Sequence, residues 1–155
     1  FLLHGFSGGG HFAHRFLYIH PERLMGVSIG APGIVTLLDP DHDFWVGVRN
    51  FEAIFGTALD IEAMRRVPVQ MVIGGEDKET WEIRLTPQDS WWMPGAESLA
   101  EANRLQRMAA LRESLESCGI AVRHDIVPGA GHDGRAMVSV VQHWFSTVLA
   151  SSRKG

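Results

Sequence analysis

The sequence predicts an α/β fold built on a parallel sheet, and two observations carry that prediction. Short apolar runs alternate with segments of helical period, the pattern of repeated strand–helix–strand units. The chain has 155 residues and is 45% hydrophobic, enough for one compact domain around a sizeable core.

The elements follow in order. Phe1 to His4 reads as a strand. A helix is expected from about Gly9 to His20, with Phe12, Phe16 and Ile19 on one stripe and Ala13 and Leu17 beside it, and Pro21 ends it. Leu24 to Gly30 and Val69 to Ile73 are the second and third strands. A long helix is expected from near Ser98, where Ser98 and Glu101 make a capping box; Gly119 stops it, and Met108, Leu111, Leu115 and Cys118 form its buried stripe. Ala121 to Val127 alternates, Val122, His124 and Ile126 on one face against Arg123 and Asp125, as suits an edge strand half in water. The last helix runs from about Arg135 to Leu149. Its apolar residues Met137, Val140, Val141, Trp144, Phe145 and Val148 recur at helical spacing.

Composition narrows the function classes. A net charge of −4 is spread without a block of like sign, so no nucleic-acid or membrane-surface stripe is expected. No apolar run reaches the ~18 residues of a membrane span. The single cysteine, Cys118, excludes an internal disulfide and is compatible with either redox compartment, so localisation stays open. Oligomeric state leaves no mark in the sequence. The chain opens without Met on residues that read as the middle of a buried strand, so it is taken as a fragment whose upstream part is unseen.

Two segments break the alternation. Residues 31–66 carry Phe44, Trp45, Phe51 and Phe55 among prolines and glycines, and residues 78–97 carry Trp81, Trp91, Trp92 and Met93. Excursions of this length are either lids and substrate-facing loops or irregular structure packed on the core. In the first reading, Phe44, Trp45, Trp91 and Trp92 wall an apolar pocket for a small-molecule substrate.

The chemistry concentrates at Gly5-Phe6-Ser7-Gly8-Gly9, a G-x-S-x-G turn with a strand before it and a helix after it. Side chains two residues either side of the serine would collide with the flanking strand and helix, which explains the glycines. The helix N-terminus also favours an oxyanion at this point. Gly26-Val27-Ser28-Ile29-Gly30 fits the same pattern, but Ala31-Pro32-Gly33 cannot start the required helix, so Ser28 is read as a strand residue. Downstream, Asp77 follows the third strand and His132 the fourth, each just past the C-terminal end of a strand, where parallel sheets place their sites. The first and third strands would lie ~9–10 Å apart, a gap an imidazole can bridge. Ser7 would attack, His132 would move its proton and Asp77 would orient the imidazole. Glu76 and Asp133 are competing acids. His11 and His14 stand at H-x-x-H spacing, but no carboxylate or cysteine joins them at ligand spacing, so no metal site and no cofactor are expected.

At these residues the chain resembles the α/β-hydrolase superfamily, from Phe1 to about Phe145. The stretch Gly9-Gly10-His11-Phe12-Ala13-His14-Arg15-Phe16, followed by His20-Pro21-Glu22-Arg23, is more narrowly similar to bacterial esterases related to polyhydroxyalkanoate depolymerases and feruloyl esterases. The resemblance implies that the four strands are strands five to eight of an eight-stranded sheet, with the N-terminal half missing. It assigns one oxyanion donor, the backbone N–H of Gly8, and places the second outside the chain. It also implies a serine hydrolase that cleaves a carboxylic ester through an acyl-enzyme on Ser7. A peptidase or lactonase on the same residues, and a non-catalytic binding protein of the same fold, are the alternatives.

Overall fold

The computed structural model describes residues 1–153. Four strands, β1 (Leu2–Phe6), β2 (Gly26–Gly30), β3 (Val69–Gly74) and β4 (Val122–Val127), form one parallel sheet in the spatial order β1-β2-β3-β4. Six helices accompany it: α1 (Gly8–Ile19), α2 (Phe51–Phe55), α3 (Ile61–Arg65), α4 (Glu97–Ala100), α5 (Arg104–Ser117) and α6 (Gly134–Ser152). Sequential strands are neighbours, so every C-terminal strand end lies along one rim of the sheet. Such a rim is where open parallel sheets put ligands.

Helices cover both faces. Val27, Ile29, Val69, Met71 and Ile73 point to one side and pack with Ala13 and Leu17 of α1 and Met108, Leu111 and Leu115 of α5. Val72 points to the other and packs with Met137 and Val141 of α6. The interior strands β2 and β3 are buried at every position, whereas β4 is the partly exposed edge. Its burial does not follow the expected alternation, since Ile126 is 53% exposed while Asp125 is half-buried, accepting a hydrogen bond from Gln70.

Three expectations are corrected. The stripe that α1 buries is Gly10, Ala13, His14, Leu17 and Tyr18, not Phe12, Phe16 and Ile19. Phe12 is 58% exposed and stacks on Phe16 at 5.5 Å, and Phe16 on Phe1 at 5.7 Å. β1 is the edge strand on this side, and Phe16 and Ile19 are only partly buried against the core. The long helix starts at Arg104 rather than near Ser98. Asn103 and Gln106 make the reciprocal capping box, each side chain accepting the other's backbone N–H at 2.9 Å. Ser98 Oγ instead donates to the Gly95 carbonyl and Glu101 pairs with Arg84, so those two side chains are taken by the loop before the helix. The second strand starts at Gly26, because Pro21–Arg23 forms a 3₁₀ turn whose Pro21 carbonyl accepts the Leu24 N–H.

The two aromatic excursions are anchored at their bases. Ile34, Val35, Val46 and Phe51 are buried in the first, Ile83 and Leu85 in the second. Arg107 of α5 ties them together, donating to the carbonyls of Gly33, Ile83 and Ala102. Trp81 and Trp91 stay exposed.

Candidate active site

β1 passes into α1 through a single residue, Ser7. Its backbone stands at φ 56°, ψ −115°, a conformation that costs a non-glycine residue ~1–3 kcal/mol and persists only where neighbours over-determine it. They do so here. The Ser7 N–H donates to the Gly30 carbonyl at 2.8 Å, and the Ser7 carbonyl accepts from Gly10 at 2.9 Å and His11 at 3.2 Å. A Cβ on Gly5 would fall on the Gly9 carbonyl, so glycine alone lets the helix turn back against the strand. Gly9 itself faces open space. On the helix side, the position that cannot carry a side chain is Gly10, which abuts the Gly30 carbonyl.

The ends of β3 and β4 converge in a comparable way. A Cβ on Gly74 would overlap the carbonyls of Ala130 and Gly131, and its absence lets the loop after β4 close onto the loop after β3. Two backbone bonds lock them, Gly75 N–H to Val127 O at 2.9 Å and Glu76 N–H to Ala130 O at 2.8 Å. His132 Nδ1 then lies 2.7 Å from Asp77 Oδ2, and His132 Nε2 lies 3.0 Å from Ser7 Oγ. A carboxylate only accepts, so Nδ1–H donates to Asp77, leaving Nε2 as the acceptor for the Ser7 hydroxyl. The Phe6 ring packs against the imidazole at a centroid distance of 4.8 Å and supports its plane. The structure thus brings Ser7, His132 and Asp77 into one hydrogen-bonded row.

The competing acids are occupied elsewhere. Glu76 pairs with Lys78 in solvent at 2.9 Å, and Asp133 caps α6 by accepting the Arg135 N–H. The Gly8 N–H opens α1 and has no acceptor among the described residues, as the first N–H groups of a helix generally lack one.

Ser28 is fully buried in β2 and belongs to a different row. His4 Nδ1 donates to the Ser28 carbonyl and Oγ, Ser28 Oγ donates to Gln70 Oε1 at 2.8 Å, and Gln70 Nε2 donates to Asp125 Oδ2 at 2.7 Å. The row crosses all four strands on the α6 side, with every buried donor directed the same way. Burial pushes the His4 imidazole below its ordinary pKa.

His11 and His14 hold a loop. His11 Nε2 accepts the Ile34 N–H at 2.9 Å and His14 Nε2 accepts the Thr36 N–H at 3.1 Å, while His14 Nδ1 donates to the Gly10 carbonyl. Desolvation by burial lowers His11 to about 4 and His14 to about 3, so both are neutral acceptors at pH 7. No cluster of three or more metal-ligating side chains occurs among the described residues.

The four aromatic residues divide. Trp91, 57% exposed, lines a cavity of about 120 Å³ with His11, Gly33, Glu82, Ile83 and Leu85. His11 lies one turn of α1 after Ser7, while Ser7, Asp77 and His132 are not among the residues lining the cavity. Trp45 Nε1 donates to the Trp91 carbonyl at 2.9 Å. Phe44 packs edge-on against Phe55 with the Arg15 guanidinium over its ring, and the Trp92 N–H closes a turn on the Asp89 carbonyl. Neither of these lines the cavity.

Sequence reasoning overlooked Arg104 and Glu82. Arg104 Nη1 lies 3.4 Å from Asp77 Oδ1, and its Nη2 donates to Glu82 Oε2 at 2.8 Å. One signal was present: an arginine in the first turn of a helix opposes the helix dipole and calls for a compensating anion.

No protein-family model and no curated protein matches the sequence. Solved structures do match. The chain superposes on poly(aspartic acid) hydrolase-1 from Sphingomonas sp. KT-1 with a TM-score of 0.70 at 20% identity, over 90% of this chain and 52% of that one. On the poly(3-hydroxybutyrate) depolymerase LpqC from Bordetella parapertussis the TM-score is 0.68 at 26% identity, over 94% of this chain and 49% of that one. A PHB depolymerase complexed with an R3HB trimer aligns more loosely, at a TM-score of 0.50 and 14% identity, over 84% of this chain and 39% of that one. The chain therefore carries the α/β-hydrolase fold and spans about half the length of the first two of these structures. No helix among the described residues is long and apolar enough to cross a membrane.

Proposed function

We propose that this chain is the C-terminal part of a single α/β-hydrolase domain and that it carries the nucleophile, base and acid of a serine esterase. The observation that supports this reading is the row Asp77–His132–Ser7, with contacts of 2.7 and 3.0 Å and the serine on a strained strand-to-helix turn. Ser7 Oγ attacks the ester carbonyl while His132 Nε2 takes its proton. The tetrahedral oxyanion receives the Gly8 N–H and a second donor from outside residues 1–155. His132 returns the proton to the leaving alcohol, and an acyl group remains on Ser7 Oγ. Water then attacks with His132 again as base, and the carboxylic acid leaves. Asp77 keeps Nδ1–H pointed at itself throughout and stabilises the imidazolium formed in each half-reaction. The cavity beside Trp91 is the proposed seat of an apolar part of the substrate.

The test is covalent labelling of the full-length protein with a fluorophosphonate probe. Labelling is expected at Ser7 and is expected to vanish in Ser7→Ala. Labelling that persists in that variant refutes the nucleophile. Parallel assays with p-nitrophenyl esters, p-nitroanilides and lactones separate an esterase from a peptidase or lactonase using the same residues.

A further inference from the structure

The Asp77 side chain is wholly enclosed, yet only two groups among the described residues donate to it. Oδ2 is taken by His132. Oδ1 faces the Arg104 guanidinium, itself only 3% exposed. A buried carboxylate needs donors or a cation to remain ionised, and a buried guanidinium is costly unless its charge is answered. Arg104 meets the first need at some expense, because its Nε is buried without a partner. Glu82, on the solvent side and partly exposed, answers the remaining charge through Nη2 at 2.8 Å. An ordered series therefore runs inward from solvent: Glu82, Arg104, Asp77, His132, Ser7. Arg104 occupies its place through α5, whose first turn is fixed by the Asn103–Gln106 box and by the Arg107 contacts to three loop carbonyls.

We propose that Arg104 is a positioning residue for Asp77, and that Glu82 holds Arg104 in turn; this rests on the reading of Ser7, His132 and Asp77 as a hydrolytic triad. The guanidinium fork spans the two acids, Nη1 facing Asp77 Oδ1 at 3.4 Å and Nη2 held by Glu82 at 2.8 Å, so that Oδ1 has a partner while Oδ2 meets Nδ1. Its charge also sets the field at the imidazole from the far side of the acid.

Two substitutions move that field in opposite directions. Arg104→Gln removes a cation from the far side of Asp77 and is expected to shift the acidic limb of the pH profile of kcat/KM upward. Glu82→Gln leaves the cation unanswered and shifts the limb downward. With Arg104→Gln, kcat is expected to fall on the order of 10–100-fold with KM little changed, since the acid acts on the transition state. Arg104→Lys keeps the charge and loses the fork, so the limb stays near that of the parent while kcat is intermediate.

The experiment measures kcat, KM and the pH profile of p-nitrophenyl butyrate hydrolysis in the full-length protein, with active sites counted by fluorophosphonate titration. Limbs displaced in opposite senses support the assignment. Limbs unmoved in both variants, with only melting temperature or active fraction changed, overturn it. Should Arg104→Gln fail to fold, Glu82→Gln decides by itself: an unmoved or upward-shifted limb overturns the assignment. Ser7→Ala in the same assay separates the two readings. Retained turnover there refutes the triad, whereas lost turnover beside unmoved Arg104 and Glu82 limbs refutes only the positioning role.

Discussion

Buried polar side chains are the residues with most to lose on substitution or protonation. Ser28 illustrates this, since it sits fully buried between His4 and Gln70. Ser28→Ala is expected to leave both neighbours short of a partner and to cost ~1–3 kcal/mol in denaturant unfolding, without changing labelling of Ser7. His14 makes a prediction in pH. Its pKa is lowered to about 3 in the folded chain against an ordinary 6.5, so the unfolded chain binds the extra proton. The stability it contributes is full above pH 6.5 and declines as pH falls toward 3, with His11, lowered to about 4, adding in the same direction. Melting temperature measured from pH 7 to 4 should fall. The fall should be shallower in His14→Gln; an equal slope in both would reject His14 as its source.

Among the elements, the turn from β1 into α1 at Ser7 and the β3–β4 loop pair make the strictest demands. Both depend on a missing side chain that lets two backbones touch, at Gly5 and at Gly74. Gly74→Ala is expected to push the His132 loop outward and, if His132 is the base as proposed, to lower kcat on the order of 10²-fold by moving its Nε2 away from Ser7, with a smaller effect on KM. Unchanged kcat in a folded variant would show that the loop tolerates the displacement. The start of α5 offers a test of the revised boundary. Asn103→Ala should destabilise the chain by ~0.5–2 kcal/mol, whereas Ser98→Ala, outside the box, should cost little. Equal losses would count against the Asn103 cap.

For the whole molecule, the open side of β1 matters most. Its edge is unpaired among the described residues, and Phe1, Phe12 and Phe16 form an aromatic row beside it. An unpaired parallel edge next to exposed apolar surface invites strand pairing with another copy. The 155 residues expressed alone are therefore expected to self-associate in sedimentation and, on the proposal that the second oxyanion donor lies outside them, to turn over esters poorly. A monomeric chain with ordinary esterase turnover would refute both expectations.

The strands, Gly5 before Ser7 and the order Ser7, Asp77, His132 were legible because each is written locally: an apolar run, a turn residue, a polar residue just past a strand. Strand context then implied that the three meet, as the hydrogen bonds at 2.7 and 3.0 Å show. That Gly10 rather than Gly9 must lack a side chain depended on the approach of Gly30. Tertiary structure alone decided which face of α1 is covered, where α5 begins and what Arg104 does. Phe12 and Phe16 have the right period for burial, yet a helical stripe is buried only where an element lies beneath it. Ser98–Glu101 and Asn103–Gln106 both fit a capping box, and the Arg84 and Gly95 contacts settled the choice. Arg104 meets Asp77 across 27 positions of chain, and such a pairing of buried charges depends on packing that no local pattern encodes. The sequence by itself determined the strands and the three residues at their ends, because short-range sterics and period specify them. The support around Asp77 was decided only when the sheet and α5 came together, because burial makes that ion pair necessary.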